Sequence, residues 1–245
     1  MGLFDIFNAE ARKQKSFDKM RAKLVSKNMQ HDDRMWCIQQ LAEMDNEEAT
    51  RALFRRWDMV SDKKREDLAE KEYLADVLVQ KGDSMLASLR EHNDRSVNIT
   101  WPIQVLRRIA TDEEVVDELV RVLDAETSRP ASFRPEKKLR LIQLLADYPE
   151  DPRLAEAVAP CLTDFDSDVR FEAAQVLGQC GGEAAREPLL NQLVSESEDS
   201  ERVRRALLKA LFDGGCSVVE RKDEIAPFLG EDWRIGPKGN LVVAD

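Results

Sequence analysis

One repeated motif constrains the fold of this chain more than any other feature of its sequence. Residues 166–182 read Asp-Ser-Asp-Val-Arg-Phe-Glu-Ala-Ala-Gln-Val-Leu-Gly-Gln-Cys-Gly-Gly, and an amphipathic segment up to Leu193 follows them. The pattern returns after 34 residues, so that Arg170 corresponds to Arg204. A repeat of this length is typical of a unit that buries its apolar face against its neighbours. The motif therefore predicts a stack of helices.

The same register is found near the start of the chain. Arg34 and Leu41 lie 136 residues, or four periods, before Arg170 and Leu177. Apolar residues at helical spacing also fill the chain between the two copies. We therefore predict an all-α solenoid of about six helix pairs over residues 31–230.

Composition agrees with a helical fold and limits the classes of function. Charged residues make up 35% of the 245 residues and aromatic residues 6%, a balance typical of helical rather than sheet-rich proteins. The net charge of −11 argues against a general nucleic-acid binder, which needs a basic surface. We therefore expect no nucleic-acid partner.

The cysteines and histidines are not spaced as metal ligands. The two histidines lie far from any pair of thiols, and no CxxC pair occurs, so we expect no metal and no cofactor. No uncharged run approaches the ~20 residues of a membrane-spanning helix. We expect reduced thiols and a cytoplasmic location for the four cysteines, which are Cys37, Cys161, Cys180 and Cys216.

The first 30 residues combine an apolar patch with a basic helix. Residues 1–30 hold seven basic and three acidic side chains, with an apolar stripe within residues 8–28. The sequence favours the interpretation that this segment is the first helix of the array. In the alternative, Phe4, Ile6 and Phe7 make peripheral contact with an anionic membrane surface.

Two segments depart from the helical pattern. Residues 125–134 are rich in Ser, Thr and Pro, and we predict a loop there, which is a candidate contact loop or a connector. In residues 231–245, two β-prone runs flank Gly-Pro-Lys-Gly-Asn, which predicts a small hairpin. Since terminal units of repeat arrays cover an open core, we interpret residues 231–245 as a cap.

The repeated motif resembles a known family. The pattern Asp166-x-Asp-Val-Arg170-x-x-Ala-Ala174-x-x-Leu-Gly178, followed by Pro188-Leu-Leu-x-x-Leu193, is similar to the HEAT repeat, particularly its phycobilisome-lyase-like variety. The likeness is close over residues 151–213. It implies a HEAT-like α-solenoid in which stacked inner helices line a concave surface.

Individual residues of the motif have structural explanations. Asp166 or Asp168 is suited to cap a helix start, and we predict that Gly178, Gly181 and Gly182 end one helix and allow the reversal into the next. The recurring arginine is predicted to form a ladder of paired side chains between repeats.

Enzymes with HEAT-like folds carry signatures that this sequence lacks. Deoxyhypusine hydroxylases carry repeated His-Glu pairs that hold a di-iron centre, whereas His31 precedes Asp32 and His92 precedes Asn93. HEAT-like alkylpurine DNA glycosylases present tryptophans and a carboxylate in a basic groove. This chain is acidic, and Trp36, Trp57 and Trp101 lie within helical core patterns or at a helix start. Phycobilin lyases are similar in repeat type, yet no pigment-specific residue is evident. The sequence therefore predicts no catalytic residue.

An uneven charge distribution suggests a binding surface. Under the HEAT resemblance, the inner helices near 100–110, 134–147 and 200–213 carry an excess of basic residues, while the outer helix 112–124 holds six acidic residues and one basic residue. Such a surface favours an acidic partner segment, although solvated helix faces would give the same pattern. The candidate partner-binding residues are Arg107, Arg108, Lys137, Lys138, Arg140, Arg205 and Lys209.

Together these observations predict a non-enzymatic cytoplasmic adaptor that binds another protein along its concave face. The alternative is a HEAT-fold enzyme or enzyme subunit of lyase type, or a nucleic-acid-acting protein on the same scaffold.

Overall fold

A computed structural model describes residues 3–44, 46–128, 134–180 and 182–244, with side chains from residue 10 onward. The contacts divide the chain into two compact units, Met1–Val115 and Val116–Asp245. None of the helices in the described ranges combines the length and the apolar character needed to cross a bilayer.

The first unit consists of helices joined by short turns. A 3-10 turn, Arg55–Asp58, continues the third helix, and a second one, Gly82–Met85, precedes the fifth. The apolar faces of the helices form a core in which Trp57, Leu74 and Met85 are almost completely buried. The helices are α1 (Leu3–Leu24), α2 (His31–Glu43), α3 (Glu47–Phe54), α4 (Lys64–Lys81), α5 (Leu86–Arg95) and α6 (Thr100–Leu106), and α7 (Asp112–Thr127) begins at the end of this unit.

The second unit continues the helical pattern and ends in a hairpin. Its strands β1 (Trp233–Ile235) and β2 (Leu241–Val243) pair antiparallel, with Ile235 opposite Leu241. The all-α fold and the C-terminal hairpin are therefore confirmed. The helices are α8 (Pro135–Leu145), α9 (Leu154–Val158), α10 (Ser167–Cys180), α11 (Gly182–Leu193), α12 (Glu201–Asp213) and the short α13 (Lys222–Ile225).

The recurring arginine fixes the turn before its own helix in each copy of the motif. In every case the guanidinium donates to backbone carbonyls of the preceding turn, which would otherwise have to face water or remain unpaired. These bonds run from Arg34 to Ser26 and Met29, from Arg170 to Asp164 and Phe165, and from Arg204 to Leu193, Ser195 and Glu198. Arg34 and Arg170 also bind buried carboxylates, of Glu70 and Glu198.

Interactions one period apart join successive repeats in the second unit. Arg186 donates to Glu220 over 2.7 Å, and Arg202 binds Asp168, each pair being 34 residues apart. The helices α10 and α12 lie closest at Gly178, where an added Cβ would be 2.7 Å from Ala210 Cα. Gly178 therefore lies inside α10 and permits close packing, and the prediction that it ends the helix is wrong.

Other helix boundaries follow the local chemistry. Asp166 Oδ1 accepts from the backbone N–H groups of Asp168 and Val169, so it caps α10 as predicted. The loop predicted at 125–134 begins later, since α7 continues through Thr127. Residues 129–133, Gly181 and the side chains of Phe4, Ile6 and Phe7 lie outside the described part of the chain.

Candidate active site

Two of the predicted partner-binding lysines are buried in ion pairs. Lys137 has no exposed surface and its Nζ lies 2.8 Å from Glu126 Oε1. Lys138 is 4% exposed and pairs with Asp164. A buried cation needs such a partner because removal from water is costly. These lysines are therefore held in ion pairs inside the second unit and do not form part of an exposed basic surface.

The predicted arginines lie in two units. Arg107, which is half-buried, and Arg108, which is exposed and pairs with Asp76 at 2.8 Å, belong to the first unit. Arg140 belongs to the second unit, where it is half-buried and its Nη1 lies 3.4 Å from Gln143 Oε1.

Arg205 and Lys209 are the two predicted residues that the structure brings to one groove. They line a depression of about 530 Å³ along α10 and α12, together with Phe171 and Arg202. Each is exposed and has an acidic neighbour, Glu201 and Asp213 respectively. Their role in partner binding stays a prediction.

A buried network of charges in the first unit is structural rather than reactive. Glu70 is completely buried and binds Arg34 Nε and Arg56 Nε, each over 2.8 Å, and His31 Nδ1 over 2.9 Å. Burial by itself would raise the pKa of Glu70, but the hydrogen bonds from these groups lower it below its ordinary value. The carboxylate is saturated with donors and is not positioned to accept a proton from a substrate.

Glu198 is the corresponding buried carboxylate of the second unit. Its environment makes the stability of the protein depend on pH. Burial would raise its pKa, but hydrogen bonds from Arg170, Gln192 and the Ser200 backbone lower it. A carboxylate with a depressed folded-state pKa stabilises the fold above its unfolded pKa, about 4.3 for Glu, and this contribution is lost as pH falls through the folded value. We therefore expect the free energy of unfolding to fall between pH 5 and pH 3, as measured by urea denaturation.

Glu198→Gln is expected to flatten this decline, because a glutamine does not titrate. Glu196→Gln, an exposed residue of the same loop, is the control and should retain the wild-type slope. Equal slopes for all three proteins would contradict the assignment of the acid sensitivity to Glu198.

A cleft in the first unit has a different character. The His92 cleft encloses about 360 Å³, and its wall includes Arg51, Arg55, Asp58, Ser88, His92 and Ser96. Two elements and a turn build this wall: α3 with its 3-10 extension, helix α5, and the turn after α5. The Asn46 side chain caps α3 by accepting from Ala49 N over 2.8 Å, which fixes where that helix begins.

Aromatic side chains hold the His92 ring at the cleft. The ring centroids of Phe54 and Trp57 lie 5.3 Å and 6.3 Å from that of His92, and Trp57 stacks on Trp101 at 6.4 Å. His92 is 8% exposed. Packing on several sides leaves the ring few alternative rotamers, so its orientation is fixed before any ligand enters.

His92 faces a carboxylate that a serine orients. Nε2 of His92 lies 3.8 Å from Asp58 Oδ1 and 3.4 Å from the Asn98 carbonyl oxygen. Both of these neighbours are acceptors, so a ring proton on Nε2 would point toward them. The Ser96 hydroxyl donates to Asp58 and accepts from Asn98 N over 2.9 Å. A fixed imidazole beside an oriented carboxylate is an arrangement suited to general acid–base chemistry.

Sequence reasoning missed this cleft, although a weak signal was present. Arg51 and Arg55 are four residues apart, as are Ser88 and His92, and a spacing of four places side chains on one helix face. The sequence analysis predicted no catalytic residue and therefore gave His92 no role. That the two faces meet is a tertiary contact between α3 and α5.

Comparison with known proteins identifies the repeat. Residues 129–212 match the family model described as HEAT repeats. The chain contains HEAT repeats. This match covers most of the region where the motif is clearest, and the narrower phycobilisome-lyase-like assignment stays a prediction.

One curated relative of this chain is an enzyme. The chain is 32% identical over 123 residues to deoxyhypusine hydroxylase of Schizosaccharomyces pombe, and the match covers 47% of this chain and 38% of the relative. The chain thus spans well under half of the length of that relative. A solved structure of human deoxyhypusine hydroxylase in complex with glycerol is 15% identical, with a TM-score of 0.32 over 90% of this chain and 95% of that chain.

The match to this curated relative overturns the expectation of a non-enzymatic adaptor. The curated relative of this HEAT-repeat chain is an enzyme, so the prediction that the chain is a scaffold without enzymatic activity is wrong. A sequence without a catalytic motif of fixed spacing can still belong to an enzyme. In a repeat protein, reactive groups come from different repeats and need no fixed spacing in sequence.

The residues of this chain do not fit the di-iron centre expected of deoxyhypusine hydroxylases. Among the residues that the structure describes, no group of three or more His, Cys, Asp and Glu side chains is arranged to hold a metal ion. His31 is bound to Glu70, whose other donors are two arginines. His92 packs against aromatic rings and faces the carboxylate of Asp58. Neither histidine is part of a ligand set.

Proposed function

We propose that this HEAT-repeat protein is an enzyme, or the catalytic subunit of one, that performs general acid–base chemistry in the His92 cleft. The observation that carries the proposal is the buried His92 ring, held beside the Asp58 carboxylate in the wall of a cleft of about 360 Å³. The identity to an enzyme over about half of the chain supports it. Hydroxylation is not assigned to the chain, because its residues do not fit the metal centre.

Hydrolysis is the reaction that these groups support most directly. His92 takes a proton from a water molecule as the water oxygen attacks an ester, and Asp58 stabilises the imidazolium that forms. The ring then returns the proton to the departing alkoxide, so that the enzyme ends in its starting state. Ser96, by donating to Asp58, holds the carboxylate toward the ring.

The four cysteines are free thiols in this structure, which supports a further proposal that the protein works in the reducing cytoplasm.

Replacement of His92 tests the proposed chemistry. With p-nitrophenyl acetate and p-nitrophenyl phosphate as substrates, we expect His92→Gln to lower kcat/KM by about 100-fold or more, the usual contribution of a general acid or base. Asp58→Asn should lower kcat with less effect on KM, because Asp58 acts on the ring and not on the substrate.

His31→Gln removes the other histidine and is the matched control, since His31 lies in the Glu70 network and outside the cleft. Circular dichroism checks that each variant is folded. If wild type turns over neither substrate, or if His92→Gln and His31→Gln have the same turnover as wild type, the proposal is wrong.

A further inference from the structure

Two polar groups of the His92 cleft have no partner among the described residues. Ser88 lines the cleft, is 1% exposed, and its buried Oγ has no hydrogen-bond partner. The Arg55 side chain also lines the cleft and makes no hydrogen bond or ion pair within the described ranges. A buried hydroxyl left unpaired costs roughly 1–3 kcal/mol, so a group that remains in this condition is suited to bind a ligand.

Two further guanidinium groups lie in the same wall. Arg51 and Arg95 both bind Glu91, with nitrogen–oxygen distances of 2.6 Å. Glu91 thereby neutralises one of their charges. The lining of this cleft holds three guanidinium groups and two carboxylates, and Arg51 also pairs with Glu47 over 2.6 Å. The Arg55 guanidinium is therefore the one in this lining that no carboxylate of the described residues neutralises.

We infer that the His92 cleft binds the phosphate group of a small molecule. The inference rests on the proposed function, since it names the substrate class of the same site. A phosphate offers several acceptor oxygens, which suit the planar fork of an arginine and a serine hydroxyl together. The volume of about 360 Å³ lies at the small end of the range for ligand pockets, which favours a small phosphate monoester over a protein-borne phosphate.

Isothermal titration calorimetry of the full chain with inorganic phosphate, and then with p-nitrophenyl phosphate, tests the inference. We expect Arg55→Ala to raise Kd by about 10-fold or more, because it removes a charge-assisted hydrogen bond. Ser88→Ala should raise Kd by about 3- to 10-fold. Arg65→Ala is the control, because Arg65 is an exposed arginine on α4 without a partner among the described residues, and its Kd should equal that of wild type.

Three outcomes would overturn the inference. The first is the absence of phosphate binding in wild type. The second is an equal Kd for wild type and Arg55→Ala. An equal rise of Kd in Arg55→Ala and Arg65→Ala belongs with it, because that result would indicate general charge attraction. The third is a phosphoserine peptide that binds more than 10-fold tighter than p-nitrophenyl phosphate, which would indicate a protein-borne phosphate.

The same titrations separate this inference from the proposed chemistry. Phosphate binding that depends on Arg55, without turnover of either ester, supports the anion site and overturns the acid–base proposal. Turnover of the neutral ester that depends on His92, without phosphate binding, does the reverse. His92→Gln should bind p-nitrophenyl phosphate within about 3-fold of wild type, since Arg55 and Ser88 remain in place.

Discussion

Replacing Glu70 with glutamine is expected to lower the free energy of unfolding by about 3–5 kcal/mol, the usual cost of breaking a buried ion pair from one side. Glu70 and Arg56 are completely buried and Arg34 is 1% exposed. The glutamine side chain is close in shape to glutamate, so packing is retained. Its amide carries no charge to balance the two guanidinium groups, and its NH2 group is a donor facing donors.

Urea denaturation at pH 7, followed by circular dichroism, measures this loss. Glu72→Gln is the control, because Glu72 is exposed on the same helix α4 and should change stability by less than about 0.5 kcal/mol. A Glu70→Gln variant as stable as Glu72→Gln would show that the buried network contributes little. In that case local relaxation, or water entering the site, would compensate for the lost charge.

Gly178→Ala is expected to destabilise the second unit although alanine is the better helix former. In an isolated helix the substitution would stabilise by about 1 kcal/mol. Here the new Cβ would lie 2.7 Å from Ala210 Cα and 3.0 Å from Ala210 Cβ, and the closer of these atoms is backbone. Because α10 and α12 must separate, overpacking of about 1–3 kcal/mol or more exceeds the gain in helix propensity, and Gly178→Val should be worse.

The thermal midpoint of unfolding measures the effect, and Gln179→Ala is its control. Gln179 is the next residue of α10 and is exposed, so its replacement should leave the midpoint nearly unchanged. A Gly178→Ala midpoint equal to or above that of wild type would mean that the helices adjust without loss, and the close approach would not be a constraint on the sequence.

Particular residues show how far sequence reasoning reached and where it stopped. The Asp166 cap and the C-terminal hairpin are local features, determined by bonds and turns within a few residues, and both were predictable. Lys137 and Lys138 were assigned to a basic surface because their charge is visible in the sequence. Their carboxylate partners, Glu126 and Asp164, lie 11 and 26 residues away, so the burial of both lysines could not be foreseen.

The functional conclusion changed for a similar reason. The sequence holds no catalytic motif of fixed spacing, which predicted an adaptor, whereas a curated relative is an enzyme. The His92 cleft combines residues between positions 51 and 96, and no fixed spacing connects them.

The sequence by itself determined the architecture of this protein. A period of 34 residues, repeated in register, leaves each helix pair with an apolar face that must be covered by its neighbours, and this requirement depends on the order of residues along the chain. The tertiary structure decided which charges are buried, where two helices approach at Gly178, and which side chains surround His92. These depend on distances between separate helices, which the free energy of packing sets and which no local pattern encodes.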